Sequence, residues 1–165
     1  MDSLENSLIV RAAAKDIYLL SRLIRDSFAD VADRFELTPE NCPRHPSNYT
    51  CEWVERDLQR GVHYFIRIAD GIAVGCVGVE KASQVTCYLE RLAGLPQHRR
   101  KGHGSHLARY AINQAHDAGA STVSIGIIAA DTALMDFYKA LGFETGETKT
   151  FPHLPFEVAF MDLQV

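Results

Sequence analysis

The chain has 165 residues, enough for one domain with a sizeable hydrophobic core and too few for two of average size. Hydrophobic residues make up 47% and charged residues 23%, a globular balance that excludes a disordered chain. Lys and Arg number 17 against 21 Asp and Glu, a net charge of −4, which argues against a dedicated nucleic-acid binder because phosphate contacts require a basic surplus. The stretch Met1 to Ser7 carries no apolar run of signal-peptide type, and nowhere does an apolar run approach membrane-spanning length. A soluble, cytoplasmic protein with no membrane partner is expected. The cysteines Cys42, Cys51, Cys76 and Cys87 form no CxxC pair and are expected to be reduced thiols. His103 and His106 stand three apart, but no carboxylate or cysteine accompanies them at ligand spacing, so no metal is expected.

In chain order, Ser7 to Ala12 reads as a short strand. Ile17, Leu20, Ile24, Phe28, Val31 and Phe35 then recur at spacings of three and four, the stripe of an amphipathic helix from about Lys15 to Glu36. Pro39, Pro43 and Pro46 exclude a regular element between Leu37 and Tyr49. Thr50 is the expected N-cap of a shorter helix carrying Trp53, Val54 and Leu58, with Gly61 as its stop. Val62 to Ala69 and Ile72 to Glu80 read as strands joined by an Asp70-Gly71 hairpin turn. Val85 to Leu92 is the next strand, ended before Pro96. The basic turn Gln97 to Gly104 opens a helix with Leu107, Ala108, Ala111, Ile112 and Ala115 on one face, closed by Gly119. Thr122 to Ile128 is a strand, Asp131 or Thr132 caps a helix running to Leu141, and Gly142 stops it. Phe143 to Thr150 and Phe156 to Leu163 form a last strand pair. The pattern is that of a single α/β domain, a mixed sheet with helices on its faces.

The chemistry concentrates in Arg99-Arg100-Lys101-Gly102-His103-Gly104-Ser105, which follows a strand and opens a helix. Glycines let a backbone approach a ligand closely, exposed N–H groups at a helix start favour an anion, and three cations stand beside them. A pyrophosphate suits such a turn, although a plain tight turn with a solvated basic run has the same local signature. A Walker A loop requires Gly-Lys-Ser/Thr where this chain has Gly104-Ser105-His106. A dinucleotide-binding fingerprint requires a third glycine where Leu107 stands. Neither fits.

The spacing Arg99-x-x-Gly102-x-Gly104 resembles the acetyl-CoA signature of the GNAT superfamily of N-acetyltransferases, Arg/Gln-x-x-Gly-x-Gly/Ala. Tyr88 to Pro96 is similar to that family's splayed fourth strand, and Phe137-Tyr138-Lys139-Ala140-Leu141-Gly142-Phe143 to its Phe-Tyr-x-x-x-Gly-Phe segment. The resemblance covers nearly the whole chain. It implies one N-acetyltransferase domain over residues 1–165, a mixed and mostly antiparallel seven-stranded sheet flanked by four helices, splayed between strands 4 and 5. It also implies acetyl-CoA as cosubstrate and a primary amine, expected to belong to a small molecule, as acceptor.

By the same resemblance, the backbone of Leu92, Ala93 and Gly94 is expected to hold the pantetheine arm as a further strand. The turn from Arg99 through Arg100, Lys101, Gly102, His103 and Gly104 to Ser105 is expected to cradle the pyrophosphate. Gly94 departs from the family's usual Val or Ile. Asp131 stands where many relatives have a cofactor-contacting Asn, and also reads as an N-cap. The amine attacks the thioester directly, a backbone N–H steadies the tetrahedral oxyanion, and Tyr138 protonates the departing thiolate. Glu90 is the candidate general base, an ion pair with Arg91 being its alternative; Glu80 and His153 are fallbacks. Asp30, Asp33, Glu36 and Glu40 are read as attracting a cationic amine, or as a solvated helix face. His45, Asn48, Tyr49 and Trp53 are candidate pocket walls, Trp53 first of all as core. Acetylation of a protein terminus or lysine, and a non-catalytic acyl-CoA-binding module, remain the alternative functions. A homodimer is left open, with no exposed apolar stripe that demands one.

Overall fold

The computed structural model describes residues 7–165. Strand β1 (Ser7–Arg11) leads through one tight turn of 3-10 helix into α1 (Ile17–Arg34). The helix starts two residues later than its apolar stripe suggested, because the Asp16 carboxylate turns back to accept the Ala13 N–H at 2.8 Å. Leu20 and Ile24 of the stripe are fully buried, worth roughly 1.5–3 kcal/mol each. Helix α2 (Cys51–Gln59) begins at Thr50, whose hydroxyl accepts the Trp53 N–H at 3.2 Å. Strands β2 (His63–Ala69) and β3 (Ile72–Lys81) form a hairpin in which both Asp70 (φ 52°) and Gly71 (φ 78°) are left-handed, the geometry that matches strand twist.

Then come β4 (Thr86–Gly94), α3 (His103–Asp117), β5 (Thr122–Ile128), α4 (Thr132–Ala140), β6 (Glu144–Thr150) and β7 (Glu157–Gln164). The sheet order is β1-β2-β3-β4-β5-β7-β6, antiparallel throughout except for β4 with β5. The fold is therefore a seven-stranded mixed sheet with four helices, as the sequence implied.

Strand β4 runs two residues past its expected end. Ala93 and Gly94 pair with Cys76 and Gly75, and the Leu95 N–H still reaches the Val74 carbonyl at 2.9 Å. Only glycine fits at 75, since a Cβ there would lie 2.3 Å from the Ala93 carbonyl oxygen. Between these pairs and Gly78–Glu90, the register shifts, so Val77 faces both Arg91 and Leu92. Arg91 takes φ 49° at this bulge, which re-aims its side chain.

The parallel pairing of β4 and β5 covers Thr86–Tyr88 with Thr122–Ser124 and stops. Beyond it the strands diverge. On one face, α3 and α4 bury Leu107, Ala108 and Tyr138 against Leu89, Val123 and Met161. On the other, α1 and α2 bury Leu20, Ile24 and Val54 against Tyr64, Ile66 and Cys76. Those two helices pack over β1–β4, with the end of α1 also reaching Ile128 of β5, and Gly126 and Asp162 stay exposed, as does β6 along its length. A third apolar cluster joins Leu154 and Phe156, between β6 and β7, to Val31, Phe35 and Leu37 at the end of α1.

Candidate active site

The divergence of β4 from β5 opens a cavity of about 1180 Å³. Its walls are the free edge of β4, the start of α3 and the inner side of α4, with Glu90, Leu92, Gly94, Gly104, Asp131 and Tyr138 among its lining residues. Ala93 does not line it; its side chain is buried in the α1–α2 core, as strand alternation dictates. Among the described residues no group of three or more His, Cys, Asp or Glu could hold a metal ion. None of the described helices is long and apolar enough to cross a membrane.

The basic turn is built by two left-handed residues, Arg100 (φ 62°) and Gly102 (φ 84°). Alternating handedness turns successive amides toward one point, an anion-binding concavity. Among the described residues none accepts the N–H groups of residues 100 to 105, and the positive end of α3 adds to their field. The three cations behave differently. Arg99 Nε donates to the Gly94 carbonyl at 2.9 Å and its Nη atoms to the Ser27 carbonyl at 2.5 Å and to Asp30 at 2.6 Å, so its charge is spent on α1 and the end of β4. Arg100 lines the cavity and Lys101 does not; both are exposed. His103 contributes main chain only, its imidazole being buried against Arg67, whose Nε donates to Nδ1 at 3.4 Å. Burial and that cation lower its pKa.

At the start of α4, Asp131 accepts the Leu134 N–H at 3.2 Å and pairs with Arg34 at 3.3 Å. The N-cap reading is the one its geometry supports. Tyr138 is held edge-on between Phe137 and Phe143, with ring centroids 5.1 and 5.3 Å away. The residue is 4% exposed, and burial raises its pKa, so the hydroxyl keeps its proton at neutral pH.

The other end of the cavity is carboxylate-rich. Glu90 lines it and accepts from Arg91 Nη2 at 2.6 Å. Its pKa is pushed up to about 7 by burial and by the neighbouring Glu80 carboxyl. The ion pair with Arg91 is formed, and Glu90 still lines the cavity. Glu80, Tyr88, Ser124, Asp162 and Glu144 are successive register partners across five strands, so they share one face of the sheet. Asp162 accepts from Ser124 Oγ at 2.5 Å and lines the cavity. This row was not read from the sequence, since it exists only through strand register. The Ser27 hydroxyl, buried in the cavity wall without a hydrogen-bond partner, also went unread.

Several expected acceptor residues lie elsewhere. Asp30 pairs with Arg99, which, against the desolvation of its partly buried site, holds the Asp30 carboxyl below its ordinary pKa. Asp30, Asp33, Glu36 and Glu40 do not line the cavity; nor do Asn48, Tyr49, Trp53 and His153. Trp53 packs edge-on against Tyr49 in the α1–α2 core. Of the candidate walls only His45 reaches the cavity, with its pKa pushed down to about 4 by burial. The cysteines are free thiols; Cys42, Cys76 and Cys87 are buried and Cys51 is exposed.

Amides without an acceptor among the described residues, an open strand edge and the buried Tyr138, all lining one cavity, fit an extended group with an anionic head. The sequence model of the acetyltransferase (GNAT) family matches residues 26–143. No curated protein sequence matches the chain. Among solved structures, the fold is similar to the PaiA N-acetyltransferase of Thermoplasma acidophilum in complex with coenzyme A. The TM-score is 0.79 at 16% identity, covering 96% of this chain and 99% of that one. The ribosomal-protein-S18-alanine N-acetyltransferase of Escherichia coli gives 0.77 at 15% identity, covering 96% and 94%. YncA of Salmonella typhimurium, solved with its cofactor acetyl-CoA, gives 0.72 at 18% identity, covering 96% and 94%. These identities speak for the fold alone, whereas the family match spans most of the sequence. The chain belongs to the acetyltransferase (GNAT) family.

Proposed function

We propose that the protein is an acetyl-CoA-dependent N-acetyltransferase whose acceptor is a primary amine on a small molecule. The observation that carries this reading is the convergence on one cavity of Arg100 and residues 102 to 105, whose amides have no acceptor among the described residues, the open edge of β4 and Tyr138. The cosubstrate would supply an activated thioester. Residues 100 to 105 would bind its pyrophosphate through the main chain, Arg100 and Lys101 adding charge from outside. The backbone of Leu92, Ala93 and Gly94 would orient the pantetheine arm. Tyr138, neutral because it is buried, would give its proton to the departing sulfur.

Glu90 would take the proton of the incoming ammonium, since its carboxyl titrates near neutrality and a base is most effective when its pKa lies near the working pH. Glu90 and Asp162, both on the cavity wall, favour an acceptor that arrives protonated. A small acceptor is supported by the contact of Leu154 and Phe156 with the end of α1, which closes over one side of the cleft where a peptide groove would stay open.

A thiol-release assay with acetyl-CoA across polyamines, amino sugars, amino acids and lysine or N-terminal peptides, with calorimetry of CoA on the same sample, tests the proposal. Turnover on a small amine is expected. Turnover confined to peptides would move the acceptor class to protein. CoA binding with no turnover on any of these amines would favour a non-catalytic binding module, and failure to bind CoA would overturn the whole reading.

A further inference from the structure

Glu90 belongs to a set of three carboxyl groups held by two guanidiniums. Arg60, just past α2, donates to Glu80 Oε1 from Nη1 at 2.5 Å and to Asp57 Oδ1 from Nη2 at 2.8 Å. Its Nη2 stands 3.5 Å from Glu90 Oε2. Arg91, re-aimed by the β4 bulge, reaches Glu90 Oε2 at 2.6 Å and Asp57 Oδ2 at 3.4 Å, while its Nε donates to the Tyr64 hydroxyl at 2.7 Å. Asp57 is surrounded by donors only, since the hydroxyls of Tyr49 and Tyr64 also point to it.

Glu80 and Glu90 differ from Asp57 in that they stand on neighbouring strands, Glu80 opposite Tyr88 and Glu90 opposite Gly78. Two like-charged side chains thus meet at the Arg60 guanidinium, and one proton kept on the pair relieves their repulsion. Each has a guanidinium at hand, Arg60 for Glu80 at 2.5 Å and Arg91 for Glu90 at 2.6 Å, and burial, the strongest influence on Glu90, places the proton there. Glu90 lines the cavity, whereas Arg60, Glu80's partner, is 44% exposed toward solvent. The groups facing the pair are Asp57 and Arg60 from the α2 region, Tyr49 from the turn before α2, Tyr64 from β2, and Arg91 and Tyr88 from β4.

We propose that Glu80 and Arg60 are positioning residues that set the proton affinity of Glu90 and carry its proton between the cavity and solvent. The inference rests on the reading of Glu90 as base. Before each turnover the shared proton leaves Glu90 by way of Glu80 to water, breaking the Glu90 O–H bond and leaving the pair doubly ionised beside Arg60 and Arg91. An N–H bond of the acceptor ammonium then breaks, its proton forms a new O–H bond on Glu90, and the freed nitrogen lone pair is available to attack. Charge and protons balance with water as the only other participant.

The test is a carbon-13 carboxyl titration of Glu-labelled protein, which needs no acceptor, followed by the pH profile of kcat/KM on whichever amine turns over. In E80Q a like charge beside Glu90 is gone, and the Glu90 midpoint is expected to fall by about one pH unit. In R60Q a cation is gone, and the midpoint is expected to rise, with R60K returning it toward the wild-type value. The acid limb of kcat/KM should move in the same opposite directions, which a merely structural role would not produce. Midpoints unmoved in both E80Q and R60Q, or moved in the same direction, would overturn the proposal. If R60Q fails to fold, E80Q and R60K decide by the same signs: E80Q must lower the midpoint, and R60K must leave it nearer the wild-type value than E80Q does. Failure of the underlying reading is distinct: E90Q would then retain the wild-type acid limb.

Discussion

Arg99 and Gly94 are joined by a hydrogen bond from the Nε of one to the carbonyl oxygen of the other, at 2.9 Å. The same guanidinium holds the Ser27 carbonyl and Asp30 on α1, so one side chain fastens the end of the splayed strand to the helix beside it. Arg99 lines the cavity and also fixes the Gly94 end of β4 to α1, so its part in the proposed cosubstrate site includes holding that strand.

R99A is expected to weaken CoA binding about tenfold, because four charge-assisted bonds are lost and the Gly94 end of β4 loosens. D30N should cost much less, since the two carbonyl bonds persist and an exposed ion pair contributes only about 0–1 kcal/mol. Calorimetry with CoA checks both. Equal losses in R99A and D30N would show that the ion pair, not the strand clamp, matters. R100A should weaken binding in a manner that vanishes at high salt, as expected for an exposed cation acting through its field.

Two glycines on the paired strands should respond oppositely. G75A places a Cβ against the Ala93 carbonyl, and relief of that clash must push β4 out of register. A fall in Tm of several degrees, from overpacking of about 1–3 kcal/mol, is expected by thermal denaturation. Gly94 has no atom within 4 Å of its Cβ position, so G94V should match the wild type in Tm and CoA affinity.

Much of the fold was legible because it is written in short-range chemistry. The Asp70-Gly71 turn, the Thr50 cap and the stripe through Leu20 and Ile24 each declare themselves within a few residues. So did the anion turn from Arg99 to Ser105. The Glu90 cluster was half legible at best. Adjacent residues on a strand point to opposite faces, so Glu90 and Arg91 could share a face only through the bulge opposite Val77, which no local pattern announces. Glu80, Asp57 and Arg60 join them through register and helix docking. The acidic end of α1 misled for the converse reason: Asp30 has its partner, Arg99, 69 residues away.

Tyr138 offers a clean separation of binding from chemistry. Its ring is gripped by Phe137 and Phe143, so Y138F retains the packing and removes only the hydroxyl. CoA affinity is expected to stay within about twofold, while kcat falls by about 10²-fold, the lower range for loss of a general acid. A kcat unchanged in Y138F would assign leaving-group protonation to another donor. A large loss of CoA affinity would show the hydroxyl to be a binding group.

Glu90 also makes stability depend on pH with a sign that can be worked out. Burial and the neighbouring Glu80 carboxyl push its folded-state pKa up to about 7, above the ordinary carboxyl value of about 4.3. The folded protein thus binds this proton more tightly than the unfolded chain does. The resulting stabilisation is complete below about pH 4 and is lost progressively as pH rises through 7. Gln cannot ionise, so E90Q escapes the loss. Its Tm relative to the wild type should climb between pH 5 and pH 8, by a few degrees for a domain of this size. The comparison must be of the two proteins at each pH, since groups remote from Glu90 titrate alike in both and cancel. A Tm difference that stays flat from pH 5 to pH 8 would mean that Glu90 is ionised throughout. Glu90 would then hold no proton for Glu80 to accept, and the acid limb of activity would have to come from the acceptor amine itself.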